Sequence, residues 1–398
     1  MSYLKQLPVQ LLITVLCALI LGPISGPIPV SFFYTVSCCF IEILLFILPF
    51  MVFIFIFRAL SNLRAGSLYL VLLIFLGVTV SNCIALLIAY CFGSVFLSLV
   101  NLQYCCDFAE KFCSEIKPLF SLELPHYIGT DKAMILGLIS GTGINFIKDT
   151  SLIRKKTLFI FNMLSEGIMV FLKKIFIPLL PVYVFGFCLK LSYDQALVHL
   201  FEQYGKVFVG SLILIFLYLF LLYLLGSAGN LRETWKNLKI MIPAGLTGFS
   251  TMSSAATMPV TLECTHETTK DPHFTDLIIP STANIHMLGD DLTIMMTALS
   301  LLIIAGQPQP DFLTLISFIL AFSLAKLSCV GVPGASVLVI LPVLKGFLGF
   351  TPDMISVLTT IYILQDPFGT SANVMGNGAF ALIIQRLFKM NFFKENKK

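Results

Sequence analysis

Four polar residues near the C-terminal end of the chain, Asp366, Thr370, Asn373 and Asn377, recur at helical offsets of four, seven and eleven inside an apolar segment running over about 354–388. A helix through this segment aligns all four on one face. Centring a carboxylate in a membrane helix costs about 2.5 to 3.5 kcal/mol on insertion scales, so such residues usually face a cavity and handle ions or substrate. The plainer alternative is a polar ladder joining two helices. Gly369, Gly376 and Gly378 thin the same helix where something must approach, which favours the functional reading.

Three further stretches hold polar residues where an ordinary spanning helix needs none. Residues 248–260 and 328–336, rich in Gly, Pro, Ser and Thr, each separate two half-length apolar segments. Between them Asn284-Ile-His-Met-Leu-Gly-Asp-Asp291 interrupts an apolar run over 275–304. Non-helical backbone at membrane depth is tolerated only where protein or a water-filled cavity covers it. Two re-entrant hairpins and a broken helix in one half of a chain predict a transporter, with freed amides for anions and freed carbonyls for cations.

The elements that position these residues lie in a strongly apolar chain. Of 398 residues, 58% are hydrophobic and 12% charged, and mean hydropathy is +0.95. Soluble domains carry about twice that charge, so one polytopic membrane domain is expected. Stretches long enough to span cover 8–28, 34–58, 67–92, 132–147, 158–189 and 205–226, the first read as a transmembrane helix rather than a signal peptide. Arg58 and Arg64, then Lys148, Arg154, Lys155 and Lys156, then Arg232, Lys236 and Lys239 follow alternate spans, and the tail is Lys-rich. The positive-inside rule then puts both termini in the cytoplasm, with the chain in the plasma or inner membrane. The net charge of +4 belongs to these loops, and nothing points to nucleic acid. Of the eleven cysteines, most sit in apolar runs as small hydrophobes, while Cys105, Cys106 and Cys113 cluster in a polar loop without the spacing of a zinc site.

Ser253-Ser-Ala-Ala-Thr-Met-Pro-Val260, the motif from His286 to Gly289, Gly331-Val-Pro-Gly-Ala335 and the stretch from Asp366 to Gly378 resemble, in order, four segments of the dicarboxylate/amino acid:cation symporters, the glutamate-transporter-like carriers. The resemblance covers nearly the whole chain. It implies an all-α polytopic membrane protein of eight transmembrane helices plus two re-entrant helical hairpins, a homotrimer moving by an elevator mechanism. Residues 1–240 would be mainly scaffold, with the third span, 67–92, joining a transport domain over 241–390, and 391–398 a basic cytoplasmic tail. Asp366 stands where the family holds the substrate ammonium. Thr370 and Asn373 stand where it holds the substrate and its carboxylate, and Ser253, Ser254, Val332 and Gly334 lie in hairpin tips whose backbone contacts it.

Departures from the family pattern bear on substrate and ion. Acidic-substrate members place an Arg where this chain has Gly369, and the alternative site for that Arg is Met252. Without a cation, burying a second substrate carboxylate costs several kcal/mol. A small neutral amino acid such as Ser, Thr or Ala is therefore expected, with acidic amino acids or dicarboxylates as the alternative. Lys326 could point a cation inward, although snorkelling of its stem toward the interface is the favoured reading. The family's cation ligands fall here on His286, Leu288 and Asn377, leaving His286, Gly289, Asn373, Asn377 and Asp290 as candidates to hold the coupling ion. Asp290 and Asp291 would restore one carboxylate, since successive helical residues turn roughly 100° apart and at most one should face the cavity. Sodium is the first choice of ion and a proton the second; no other cofactor is expected.

An enzyme is not expected. An intramembrane aspartyl protease needs a Tyr-Asp pair and a Gly-x-Gly-Asp motif, where this chain has Gln365-Asp366 and Met287-Leu-Gly-Asp290. No Gly-x-Ser-x-Gly supports a serine hydrolase. A channel on the same fold remains open at this level.

Overall fold

The computed structural model describes residues 7–61, 68–102, 116–122, 124–125, 128, 130–147, 151–194, 196–329, 331 and 333–387. Among them the regular elements are all helical: α1 (Leu7–Leu21), α2 (Pro27–Ser61), α3 (Leu68–Leu99), α4 (Thr130–Gly143), α5 (Leu152–Phe171), α6 (Ile177–Tyr193), α7 (Ala196–Gly226), α8 (Leu231–Thr251), α9 (Ser254–Thr269), α10 (Pro272–Thr282), α11 (Leu288–Ile304), α12 (Phe312–Lys326), α13 (Ala335–Leu348) and α14 (Pro352–Leu387). Val332, the Cys105–Cys106–Cys113 cluster, Arg64, Lys148 and the tail over 391–398 lie outside the described residues.

Three stretches, Ile74–Leu99, Lys174–Tyr193 and Tyr204–Gly226, are long and apolar enough to cross a membrane by length and composition among the described residues. The fifth apolar stretch departs from a single span. It is helical from Leu152, passes through a π-helical turn at Leu172–Phe176, and continues to Tyr193. Pro178 and Pro181 follow that turn; lacking N–H groups, they leave carbonyls of the preceding turn unpaired, and the ladder widens there.

Packing sorts the helices. α2 packs on α4, α5 and α6, and α6 on α1, whereas α3 packs on α11 and α12. The stretch 205–226, which a division at residue 240 leaves with the N-terminal helices, packs as α7 on α14 and α11. Large apolar side chains such as Leu12, Leu16 and Ile20 on α1 stay exposed, as lipid-facing positions do, while every residue of α11 except Ile303 is buried.

The breaks around α11 have local causes. α8 and α9 lie side by side, reversing at Met252, whose φ of 51° is left-handed, and at Ser253, whose side chain accepts from the Ala256 N–H to cap α9. α12 and α13 form a second helical hairpin, and α13 starts behind Gly334 at φ 74°. Non-helical residues between α10 and α11 carry Asn284 and His286. Asn230 caps α8 by accepting from the Arg232 and Glu233 N–H groups at 3.0 and 3.3 Å. Asn230→Ala is expected to lower stability by about 1 kcal/mol, read as a lower melting temperature.

Without a hydrophobic drive between helices in lipid, association relies on close packing at small residues. α11 and α14 cross at such a point. A Cβ on Gly289 would lie 2.2 Å from the Gly369 carbonyl oxygen, and one on Gly376 would lie 2.9 Å from Leu288. This crossing brings the first turn of α11 against the polar face of α14.

Candidate functional site

Asp366, Thr370, Asn373 and Asn377 share one buried face of α14. Asp366 Oδ1 accepts from Thr370 Oγ1 at 3.0 Å and from Tyr362 Oη at 3.4 Å, and Oδ2 accepts from the Gly334 N–H at 2.8 Å. The carboxylate thus lies under the end of the α12–α13 connection. Tyr362 extends the stripe by one turn toward the N-terminus. Its offset of four from Asp366 was the sequence signal that could have singled it out.

The two hairpin turns meet at Gly331. Ser253 Oγ and the Ala255 N–H both donate to the Gly331 carbonyl, while the Gly331 N–H donates to Asn284 Oδ1 at 3.0 Å. Ser254 is buried beside them, and a Cβ on Gly331 would lie 3.3 Å from Ser254 Cβ and 2.7 Å from Asn284 Oδ1. Ser253 and Ser254 thus meet the α12–α13 connection at Gly331, three residues before Gly334, whose N–H reaches Asp366 beside Thr370.

The residues read as ion ligands are engaged otherwise. Asn373 Oδ1 accepts from the Gly289 and Asp290 N–H groups at 2.8 and 3.3 Å, so it caps the start of α11. Asn377 Oδ1 lies 3.0 Å from His286 Nδ1, and His286 Nε2 lies 3.0 Å from Ser81 Oγ. Because Oδ1 only accepts, Nδ1 carries the proton, and the Ser81 hydroxyl can donate to Nε2 of the ring in that tautomer. Asn82 Nδ2 donates to the Ile285 carbonyl, and Leu288 packs on Gly376. A hard cation such as sodium needs oxygen ligands free to turn toward it. Here an imidazole and two backbone amides already use the side-chain oxygens of Asn377 and Asn373. Of the five candidates, Asn373 and Asn377 thus have their side-chain oxygens engaged within the protein, while Asp290 Oδ1 has no hydrogen-bond partner among the described residues.

One expectation about charge is corrected. Lys326 does not snorkel: it is fully buried, donates to Ser336 Oγ, and places Nζ 3.6 Å from Asp290 Oδ2 and 3.4 Å from Asp291 Oδ1. The reason is tertiary, since the C-terminal end of α12 points at the first turn of α11 rather than at an interface. Asp290 and Asp291 both lie beside this one ammonium. One long side chain reaches between consecutive residues. Gly369, where an Arg was the point of comparison, has Asp290 Oδ1 where its Cβ would stand, at 2.7 Å.

The described arginines act elsewhere: Arg58 donates to Ser165, Arg154 to the Ile144 and Ile147 carbonyls, Arg386 to the Leu225 carbonyl, and Arg232 is exposed at the start of α8. Met252, the other position considered for an Arg, is buried at the α8–α9 turn. A cavity of about 560 Å³ between α1, α6, α7 and α14 is lined by Leu12, Phe187, Phe208 and Phe368 and by Gln365 and Pro367, but not by Asp366 between them. Its apolar walls offer little to an ammonium or a carboxylate.

A sequence profile of the Sodium:dicarboxylate symporter family matches residues 7–387. The chain belongs to that family. Excitatory amino acid transporter 1 of Rattus norvegicus is 30% identical to this symporter-family chain over 184 residues, 46% of the chain and 33% of the rat protein. The serine/threonine transporter SstT of Acinetobacter baylyi is 27% identical over 155 residues, 38% of each. A putative sodium-dependent excitatory amino acid transporter, glt-4 of Caenorhabditis elegans, is 28% identical over 151 residues, 37% of the chain and 29% of that protein. The matched stretch spans only about a third of the length of the relatives first compared. The family profile and the apolar helices make the chain a multi-pass membrane protein.

Proposed function

We propose that this chain is a secondary active symporter that takes up a small neutral amino acid, such as serine, threonine or alanine, together with a cation. The observation that carries this is the charge lining of the junction. Asp366 offers a carboxylate to a substrate ammonium, while the place of a second-carboxylate partner, Gly369, faces Asp290. An acidic side chain entering there would meet a like charge in a low dielectric. The similarity to a serine/threonine transporter agrees with this reading, and that to excitatory amino acid transporters keeps acidic substrates as the second reading. That second reading needs Lys326, which is already paired with Asp290 and Asp291.

Family membership supports sodium as the coupling ion, with protons second, and no step is routed through the five candidate ligands. The proposal includes eight transmembrane helices, with the α8–α9 and α12–α13 hairpins re-entrant, and both termini cytoplasmic. A homotrimer is built on the N-terminal helices. The transport domain comprises α3, α7 and the helices from α8 to α14, and moves like an elevator.

Uptake of labelled serine, alanine, aspartate and glutamate into proteoliposomes tests the proposal. Saturable, concentrative uptake of serine or alanine under an inward sodium or proton gradient is expected. Aspartate or glutamate outcompeting both neutral amino acids would overturn the substrate, and a non-saturating leak would overturn the carrier.

A further inference from the structure

Lys326 ends α12, Asp290 and Asp291 open α11, Ser336 lies in the first turn of α13, and all four are buried. A buried ammonium is costly unless paired and hydrogen-bonded. Here it has two carboxylates from α11 and one hydroxyl from α13 around it. Two formal negative charges against one positive leave the cluster an excess negative charge. The N-terminal end of α11, equivalent to about half a positive charge, offsets part of that excess. Asp290 Oδ1 and both Asp291 carboxylate oxygens make no hydrogen bond among the described residues, so Lys326 is the cationic group on which this acid pair converges.

Carboxylate and hydroxyl oxygens drawn from two elements around one positive charge are the ligand set a diffusible monovalent cation would take. We propose that Lys326 is a tethered cation, filling from within the chain a cation site between α11 and the α12–α13 hairpin. It holds that hairpin against α11 with no ion taken up at this point. Because the charge travels with the protein and is never released, the carrier moves one cation fewer in each cycle than it would with an ion here. That consequence rests on the carrier reading, but the site itself and its test do not.

The test uses the full chain, purified in detergent without substrate, with melting followed by Trp235 fluorescence in choline, sodium and ethylammonium chloride at equal ionic strength. Lys326→Ala should melt lower than wild type in choline. In ethylammonium, and to a lesser degree in sodium, it should recover by about 2 °C or more beyond any wild-type response. Lys326→Met, which keeps most of the stem and drops the charge, should stay low in all three salts. A Lys326→Ala response no larger than wild type overturns the proposal, as does a Lys326→Met protein that melts like wild type. If Lys326→Ala does not fold, Lys326→Ala combined with Asp291→Asn leaves one acid beside the emptied stem and carries the same comparison, with the same two readings. A wrong substrate assignment leaves every one of these results unchanged.

Discussion

Asp366→Asn is expected to reduce uptake of the substrate amino acid by about 30-fold or more, while the protein remains folded. The amide keeps the size of the side chain: its oxygen can still accept from the Gly334 N–H, and its NH2 can donate to a turned Thr370 hydroxyl, so the junction around it survives. What is lost is the negative charge facing the substrate ammonium. Truncating one partner of a buried, hydrogen-bonded charge pair costs about 2 to 5 kcal/mol, or roughly 30- to 5,000-fold. Initial uptake rates in proteoliposomes, with melting temperature measured in parallel, check it. A variant that transports at close to the wild-type rate would remove Asp366 from the substrate site.

Gly289→Ala is expected to cause the largest loss of stability of any single methyl addition proposed for this chain. Its Cβ would stand 2.2 Å from the Gly369 carbonyl oxygen and 2.7 Å from Ala372 Cβ, so backbone rather than a flexible side-chain end must yield. Overpacking of this kind costs about 1 to 3 kcal/mol even where side chains can move. The α11–α14 crossing would open, and the caps that Asn373 gives to α11 would lengthen. Gly143→Ala in α4 is the control, since a Cβ there meets nothing within 4 Å. The control should melt at or above the wild-type temperature, because Ala favours a helix. Equal melting of the two variants would show that the crossing tolerates a side chain.

The polar stripe on α14 was legible because helical periodicity alone aligns 366, 370, 373 and 377. What each residue does was not, since Asn373 and Asn377 find partners 84 and 91 residues away. The interruption between α10 and α11 was also legible, but the sequence placed both acids within it. The structure puts them in the first turn of α11, where a helix end favours negative charge. Lys326 was misread because local sequence shows a Lys near the end of an apolar helix and nothing of what that end meets. Ser81 and Asn82 went unnoticed, although two adjacent polar residues inside the apolar run of α3 were a visible signal.

Gly331 joins both hairpin turns through its own backbone, its carbonyl accepting from Ser253 and Ala255 and its N–H donating to Asn284. In a carrier of the proposed kind, the two turns are the barriers on opposite sides of the substrate. A barrier that shares its fastening with its counterpart cannot be loosened alone. Damage at this residue should therefore show itself as uncoupled passage of solute and ions down their gradients, before any change in how tightly the amino acid is held.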